Sequence, residues 1–377
     1  MSDAEIEKIT DSAGTGAPNF TFGLNSGGSD SGLLGFAYTA SDTEPSSPAN
    51  GDVWFDTAND KYYTYINGEF KQLTHINAPT AEWTGARGFH MGGRQGVGST
   101  ASSNKIDYFV IATTGNSADF GDLIYYDIYL GAANSNKTRV VEYNNPSGIQ
   151  YITCATTGNA LDFGDLTVNR DSGVAGGSNG TIGLIAGGFG GGYSNIIDRL
   201  TIATTGNTTD HGDLTVGAFN IAGTGGETNA IFGGRQDGSG ARNTIDYVGI
   251  ATAANATDFG DLLAANRGHA ALADLTRTVF GGGSASTSGG AFNVIQYVTS
   301  ATTGNATDFG DLTAAKAWIS GASDGTYGVF TGGNTDVGTT RTNAIDRITI
   351  QTTGNASDHG DLQEYRDSGS ASSGNAS

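Results

Sequence analysis

The chain has 377 residues, 61 of them glycine and 5 proline, with 37% hydrophobic residues, a profile of many short strands and tight turns around a core rather than of long helices. A formal net charge of −20 argues against a nucleic-acid partner, whose phosphates would be repelled, and against an anionic membrane surface, and leaves room for a basic partner or a neutral glycan. A single cysteine, Cys154, excludes an intrachain disulfide framework and a thiolate zinc site.

Residues 1–45, rich in Gly, Ser, Asp and Thr and without a period, are expected to form an extended arm ordered against partners. The opening MSDAEIEKITDSAGTGAPNF lacks a positive n-region, and no apolar run reaches the roughly 18 residues of a spanning helix, so neither secretion nor membrane insertion is expected. Residues 46–80 change character: VWFDT, KYYTYI and EFKQL are strands, with Asn67-Gly68 as a hairpin signal. Three such strands are marginal alone, so this small β-hairpin module is expected to pack on the repeat domain that follows it, on another copy of itself or on a larger assembly.

From residue 81 one phrase returns six times. TTGNATDFGDL at 302–312 has close copies ending at Leu123, Leu166, Leu214, Leu262 and Leu362, 43 to 50 residues apart, and a period of about 40–50 residues marks a propeller or a solenoid. The best-preserved unit, 266–312, offers four strands, in HAALAD, TRTVFGGG, VIQYVTSAT and ATDFGDL, and no unit carries helical periodicity. The Thr-Thr-Gly between the third and fourth strands predicts a three-residue hairpin loop with a left-handed glycine. Ala253-Ala254 in the fourth unit should then make its turn slightly strained or of another type. Units that read IDY or IQY carry Phe in the D-x-G-D signature, and units that read IDR carry His. Folding about the loop places Tyr247 opposite Phe259 and Arg199 opposite His211 as cross-strand pairs. The alternation, with GGRQ at 92–95 and again at 233–236, marks a duplicated block of three units.

After Leu362 the tail EYRDSGSASSGNAS has room for one strand, and its RDSGSASSG is similar to RDSGVAGG at 170–177, where a first strand belongs. Unit one begins near Trp83 with only its second strand, ARGFHMGGR. The C-terminal segment is therefore expected to supply the innermost strand of blade one, closing an all-β, six-bladed β-propeller over 81–377. An open solenoid is the rival and leaves the missing strand unexplained. Unit two is degenerate, with KTRVVEYNN in place of a glycine-closed strand.

Chemical motifs are sparse. DFG occurs without a nucleotide loop or a catalytic-loop motif, which excludes a kinase. Asn305, Asp308 and Asp311 have a spacing distantly like that of a calcium loop, yet Asn and Asp bonding their own backbone in turns accounts for them. His211 and His359 are expected beside Arg, and His75, His90 and His269 stand singly, so no metal site is assigned. No catalytic residue or cofactor is assigned either, and Cys154 reads as a small strand residue. The two rims of the repeat contrast. The hairpins between third and fourth strands are nearly identical, while the loops between second and third strands vary from NNPSG to RQGVGSTASSNK, the layout of a recognition surface. On the variable rim the candidate partner-binding residues are Arg94 and Arg235 of the two GGRQ copies and the bunched Tyr125, Tyr126 and Tyr129. Tyrosines stack on sugar rings and keep a hydroxyl for hydrogen bonds; these three also suit an inward-facing first strand of blade two.

Units with FGGG followed by phrases of the IDY and ATTGNATDFGDL type resemble the kelch-like propeller repeats of phage virion structural proteins, particularly those of cyanophages and related marine phages. KITDSAGTGAPNF is similar to N-terminal segments of phage tail and fibre proteins, and GDVWFDTANDKYYTYINGEF resembles a short hairpin module that such proteins carry between anchor and distal domain. The resemblance implies a non-enzymatic, tail-associated component of the virion. Its arm would dock on other virion proteins, and its propeller would serve tail assembly or face host-surface glycan or protein, in a homo-oligomer. A depolymerase of host polysaccharide and a head decoration protein are the alternatives. Kelch units carry a tryptophan in the fourth strand where this chain has Asp-Phe/His-Gly-Asp.

Overall fold

The computed structural model describes residues 9–10, 19–20, 38–59, 61–72, 82–96, 101–125, 130–143, 148–170, 172–286, 290–336 and 340–375. Every regular element among them is a β-strand. The chain divides into two compact units, Met1–Ala78 and Pro79–Ser377. Most of residues 1–45, expected as an arm, lies outside the described residues.

In the first unit Val53–Asp56, Lys61–Ile66 and Glu69–Gln72 form an antiparallel meander, its last turn carried by Asn67 and Gly68 with positive φ of 52° and 92°. A fourth strand, Tyr38–Ser41, pairs in parallel with Val53–Asp56, so the sheet takes in residues expected to belong to the arm. Trp54 stacks on Tyr63 at 5.0 Å and meets Phe70 edge-on at 5.4 Å. Its indole N–H donates to the Ser41 carbonyl at 3.2 Å, which ties the added strand to the aromatic face.

Among the described residues the second unit contains six four-stranded antiparallel sheets. Sheets two to six are each a continuous run of chain, with first strands Ala132–Ser135, Val174–Ser178, Ala222–Thr224, Ala270–Ala273 and Ser320–Ser323. Sheet one is assembled from both ends of the unit: Ser370–Gly374 pairs with Arg87–Met91, followed by Lys105–Val110 and Ala118–Asp122. The C-terminal strand thus fills the first position of sheet one. The first strands neighbour one another in chain order, and Ser370–Gly374 neighbours the first strands of both sheet six and sheet two.

Burial follows the same order. Six apolar clusters among the described residues hold the unit together, each drawn from two consecutive sheets. Phe232 with Leu184 bridges sheets three and four, and Phe280 with Ile231 bridges sheets four and five. The cluster of Phe109, Val329, Ile345 and Leu362 joins sheet six to sheet one. Each strand is thin, and the apolar area removed between sheets supplies the driving force for association.

The hairpin register differs from the sequence expectation. Tyr247 faces Thr257 and Arg199 faces Thr209, because the chain turns earlier than a loop ending on the Thr-Thr-Gly glycine would; beyond these pairs the residue between Asp and Gly of each D-x-G-D phrase is the extra residue of a β-bulge. The bulged Phe still meets its tyrosine diagonally, as in Tyr247–Phe259, 5.6 Å apart and edge-to-face. The turn is also placed otherwise: Thr302 N–H donates to Thr299 O, so it closes ahead of Gly304. Gly304 lacks a positive φ, and a Cβ there would meet nothing within 4 Å. Ala254, its counterpart in the fourth unit, is therefore unstrained.

Candidate functional site

The repeated phrase is a clasp between sheets. In each hairpin the Asn after the turn accepts, through Oδ1, the backbone N–H of the second Asp of D-x-G-D in the preceding sheet: Asn159 from Asp122, Asn207 from Asp165, Asn255 from Asp213, Asn305 from Asp261 and Asn355 from Asp311, at 3.0–3.1 Å. The sixth bond runs from Asp361 N–H to Asn116 Oδ1 at 3.1 Å, across 245 residues of chain. The glycine of the same phrase has φ between 146° and 155° in all six copies, and a Cβ on it would collide with backbone of the next hairpin, as Gly260 would with Gly304 O. Here glycine is required for close approach. The set Asn305, Asp308 and Asp311 is thereby split, with Asn305 turned toward the preceding sheet. Among the described residues no group of three or more His, Cys, Asp or Glu could hold a metal ion.

Arginine adds a second clasp. Nη1 of Arg87, Arg139, Arg199, Arg277 and Arg347 donates to a carbonyl at the end of the third strand of the following sheet, the last reaching Ala112 of sheet one at 2.8 Å. Where the arginine lies on the second strand its guanidinium covers the third-strand tyrosine, as Arg277 covers Tyr297 at 4.4 Å. His211 and His359 occupy the bulge of the two sheets whose third strand reads IDR, and burial lowers both imidazole pKa values.

A third layer is buried and polar. The middle residue of IDY, IQY or IDR is Asp107, Gln150, Asp198, Asp246, Gln296 or Asp346, all buried. Each Asp has a buried cation: Arg366, Arg170, Arg235 and Lys316 respectively. Three of them also accept a threonine hydroxyl, as Asp246 does from Thr215 at 2.8 Å. The Gln positions have neither; Gln150 and Gln296 accept backbone N–H groups of Ile124 and Leu263. Buried carboxylates need charge pairing, and amides do not, so the D/Q alternation fixes which units carry a buried cation.

The candidate partner-binding residues fall into different roles. Arg235 is buried in its pair with Asp246, 3.0 Å away. Arg94 is half-buried, and its Nε and Nη2 grip the two carboxylate oxygens of Asp367 at 2.8 and 3.0 Å. The Tyr125 hydroxyl donates to Asp162 at 3.3 Å, and the Asp162 charge raises its pKa. Tyr126 and Tyr129 lie outside the described residues.

A different cluster stands on the variable rim, in the loops of sheets three to six. Phe189 and Tyr193, 36% and 38% exposed, meet edge-to-face at 5.5 Å, and Phe219 lies 5.8 Å from Phe189. Gln236 reaches the Tyr193 hydroxyl at 3.5 Å and accepts a hydrogen bond from Arg267 Nη1. The Arg267 guanidinium sits 5.8 Å from the centroid of Trp318. Trp318 has φ +53°, in a column with Asn220 (+53°), Gly268 (+62°) and Ser368 (+62°). Their backbones form a relay, Gly268 N–H to Asn220 O, Trp318 N–H to Gly268 O and Ser368 N–H to Trp318 O. The relay needs left-handed residues, which glycine and asparagine supply most easily, so tryptophan there is an unusual occupant. Sequence reasoning passed over these residues because they come from four units. The signal was present in one column, Phe219, Arg267, Ala317 and Asp367, the residues preceding the left-handed position.

The first strands line a common cavity of about 50 Å³ with Ala133, Ala175, Ala222, Ala271, Gly321 and Ala371. It has room for a few waters and none for a sugar ring, since small-molecule sites run to about 300–1,000 Å³. No protein-family model matches the chain, and no curated protein matches it.

Proposed function

We propose that the six sheets are the blades of a closed six-bladed, kelch-like propeller, and that the protein is a non-enzymatic, tail-associated structural component of a phage virion whose variable rim recognises a partner on the host surface. The observation that carries this reading is the clasp of Asp361 on Asn116, which repeats between sheets six and one the bond made between every other consecutive pair. Closure of this kind removes sheet edges and makes one rim a rigid base for loops on the other. The variable rim carries the half-exposed aromatic cluster of Phe189 and Tyr193, which suits recognition.

The phage assignment rests on the resemblance of the repeat phrase and of the opening segment to virion proteins. In it, residues 1–45 dock on other virion proteins and the protein acts as a homo-oligomer. Labelling intact particles with antibody against residues 81–377 tests the location. Label at the outer tail, together with binding of purified protein to host envelopes, is the expected result. Label on the head, or no binding to host envelopes, overturns the recognition role.

A further inference from the structure

The chain carries 38 acidic residues against 18 Lys and Arg, and the buried arginines just described have carboxylate partners. Arg267 is the exception. It is 4% exposed, and among the described residues its Nε and Nη2 have no hydrogen-bond partner and no acidic group lies against it. Those two nitrogens form the edge by which Arg94 holds both oxygens of Asp367, the side-on geometry that takes a planar carboxylate in two parallel bonds. A buried donor left unmade is costly, so the empty fork is a place for an acceptor from outside.

Its surroundings narrow the ligand. Trp318 lies against one side of the guanidinium, and Gln236 links it to Tyr193, Phe189 and Phe219. Aromatic faces with few hydroxyl and amide groups suit the apolar face of a pyranose ring, and the fork suits a carboxylate. The retained left-handed strain at Trp318 is of the kind that collects at ligand sites.

We propose that Arg267, with Trp318, Tyr193 and Phe189, forms a subsite for a uronic-acid residue of an acidic polysaccharide. The proposal rests on the recognition role above and names its ligand class. Tyr193, whose hydroxyl meets Gln236 at 3.5 Å, turns aside to admit the carboxylate. The overall charge of −20 does not forbid this, because charges beyond about 8 Å are screened at physiological salt.

Calorimetric titration of the full chain with a tetragalacturonate and with its methyl ester tests the subsite. The acid should bind and the ester should bind at least about tenfold more weakly, the equivalent of one charge-assisted hydrogen bond. Arg267→Lys, which keeps the charge and removes the fork, should weaken the acid by a similar factor. Should that variant unfold, Phe189→Ala and Tyr193→Ala, at exposed positions, should each weaken binding severalfold with an unchanged melting temperature. Equal binding of acid and ester, or loss of neither in the ring variants, overturns the subsite. Absence of titration while fluorescent protein still coats host envelopes overturns the subsite alone; absence of both overturns the recognition role as well.

Discussion

Asn116 Oδ1 accepts the backbone N–H of Asp361 at 3.1 Å, so a residue of the first repeat holds a residue of the last in the way that Asn305 holds Asp261. In an open arrangement Asn116 would have no preceding sheet to hold. Asn116→Ala and Asn305→Ala should therefore destabilise alike, by about 1 kcal/mol each. Urea unfolding in which Asn305→Ala is destabilised and Asn116→Ala is not would contradict a closed ring.

The phrase's glycine and the turn's glycine should respond in opposite ways. Gly260→Ala places a Cβ into the backbone at Gly304, whereas Gly304→Ala meets open space and reproduces the natural Ala254. The first should cost several kcal/mol, in the range of strain at special backbone positions, and the second well under about 1 kcal/mol. Chemical denaturation of both variants checks this, and equal effects would refute the clasp.

The buried polar layer predicts a rescue. Arg235→Leu leaves Asp246 charged and unpaired in the core, a change that costs about 3–5 kcal/mol. Adding Asp246→Gln should restore most of it, because Gln296 occupies the same position in sheet five without a cation. A double variant no more stable than Arg235→Leu alone would show that packing, not charge, sets the cost.

Stability should fall on both sides of neutrality. Burial lowers the pKa of His90, His211, His269 and His359, that of His269 to about 4. The unfolded chain then takes up protons first, and stability is lost as pH drops below about 6.5. Glu142, at the contact of sheet two with Ser370, has its pKa raised to about 8 by burial. Its protonated form is favoured by folding, so its contribution is full below about 4.5 and is lost as pH rises through 8. Glu142→Gln should hold its melting temperature between pH 7 and 9 while the parent loses about 2–4 °C per kcal/mol, and the two should agree near pH 5. Parallel curves at high pH would contradict a neutral buried Glu142.

Much of the scaffold was legible because each unit repeats its local rules: strand period, glycine-closed second strands, and a tail similar to 170–177 that completes sheet one. The hairpin register was not, since the turn closes ahead of the Thr-Thr-Gly glycine and a bulge then adds a residue, neither leaving a mark in composition, and so Tyr247 faces Thr257 instead of Phe259. The clasp function of the asparagine was equally hidden, because its partner lies 42 to 44 residues away in most copies. Arg94 and Arg235 stood out by repetition, which marked the carboxylate pairs inside the protein. Arg267 stood out only once its neighbours from other units were placed around it.

Class averages of the full chain by electron microscopy test the central claim most directly. A closed ring of six lobes, continuous between the sixth and the first, is the result expected from the Asp361–Asn116 clasp. An arc or helical ramp with its two ends apart would contradict it.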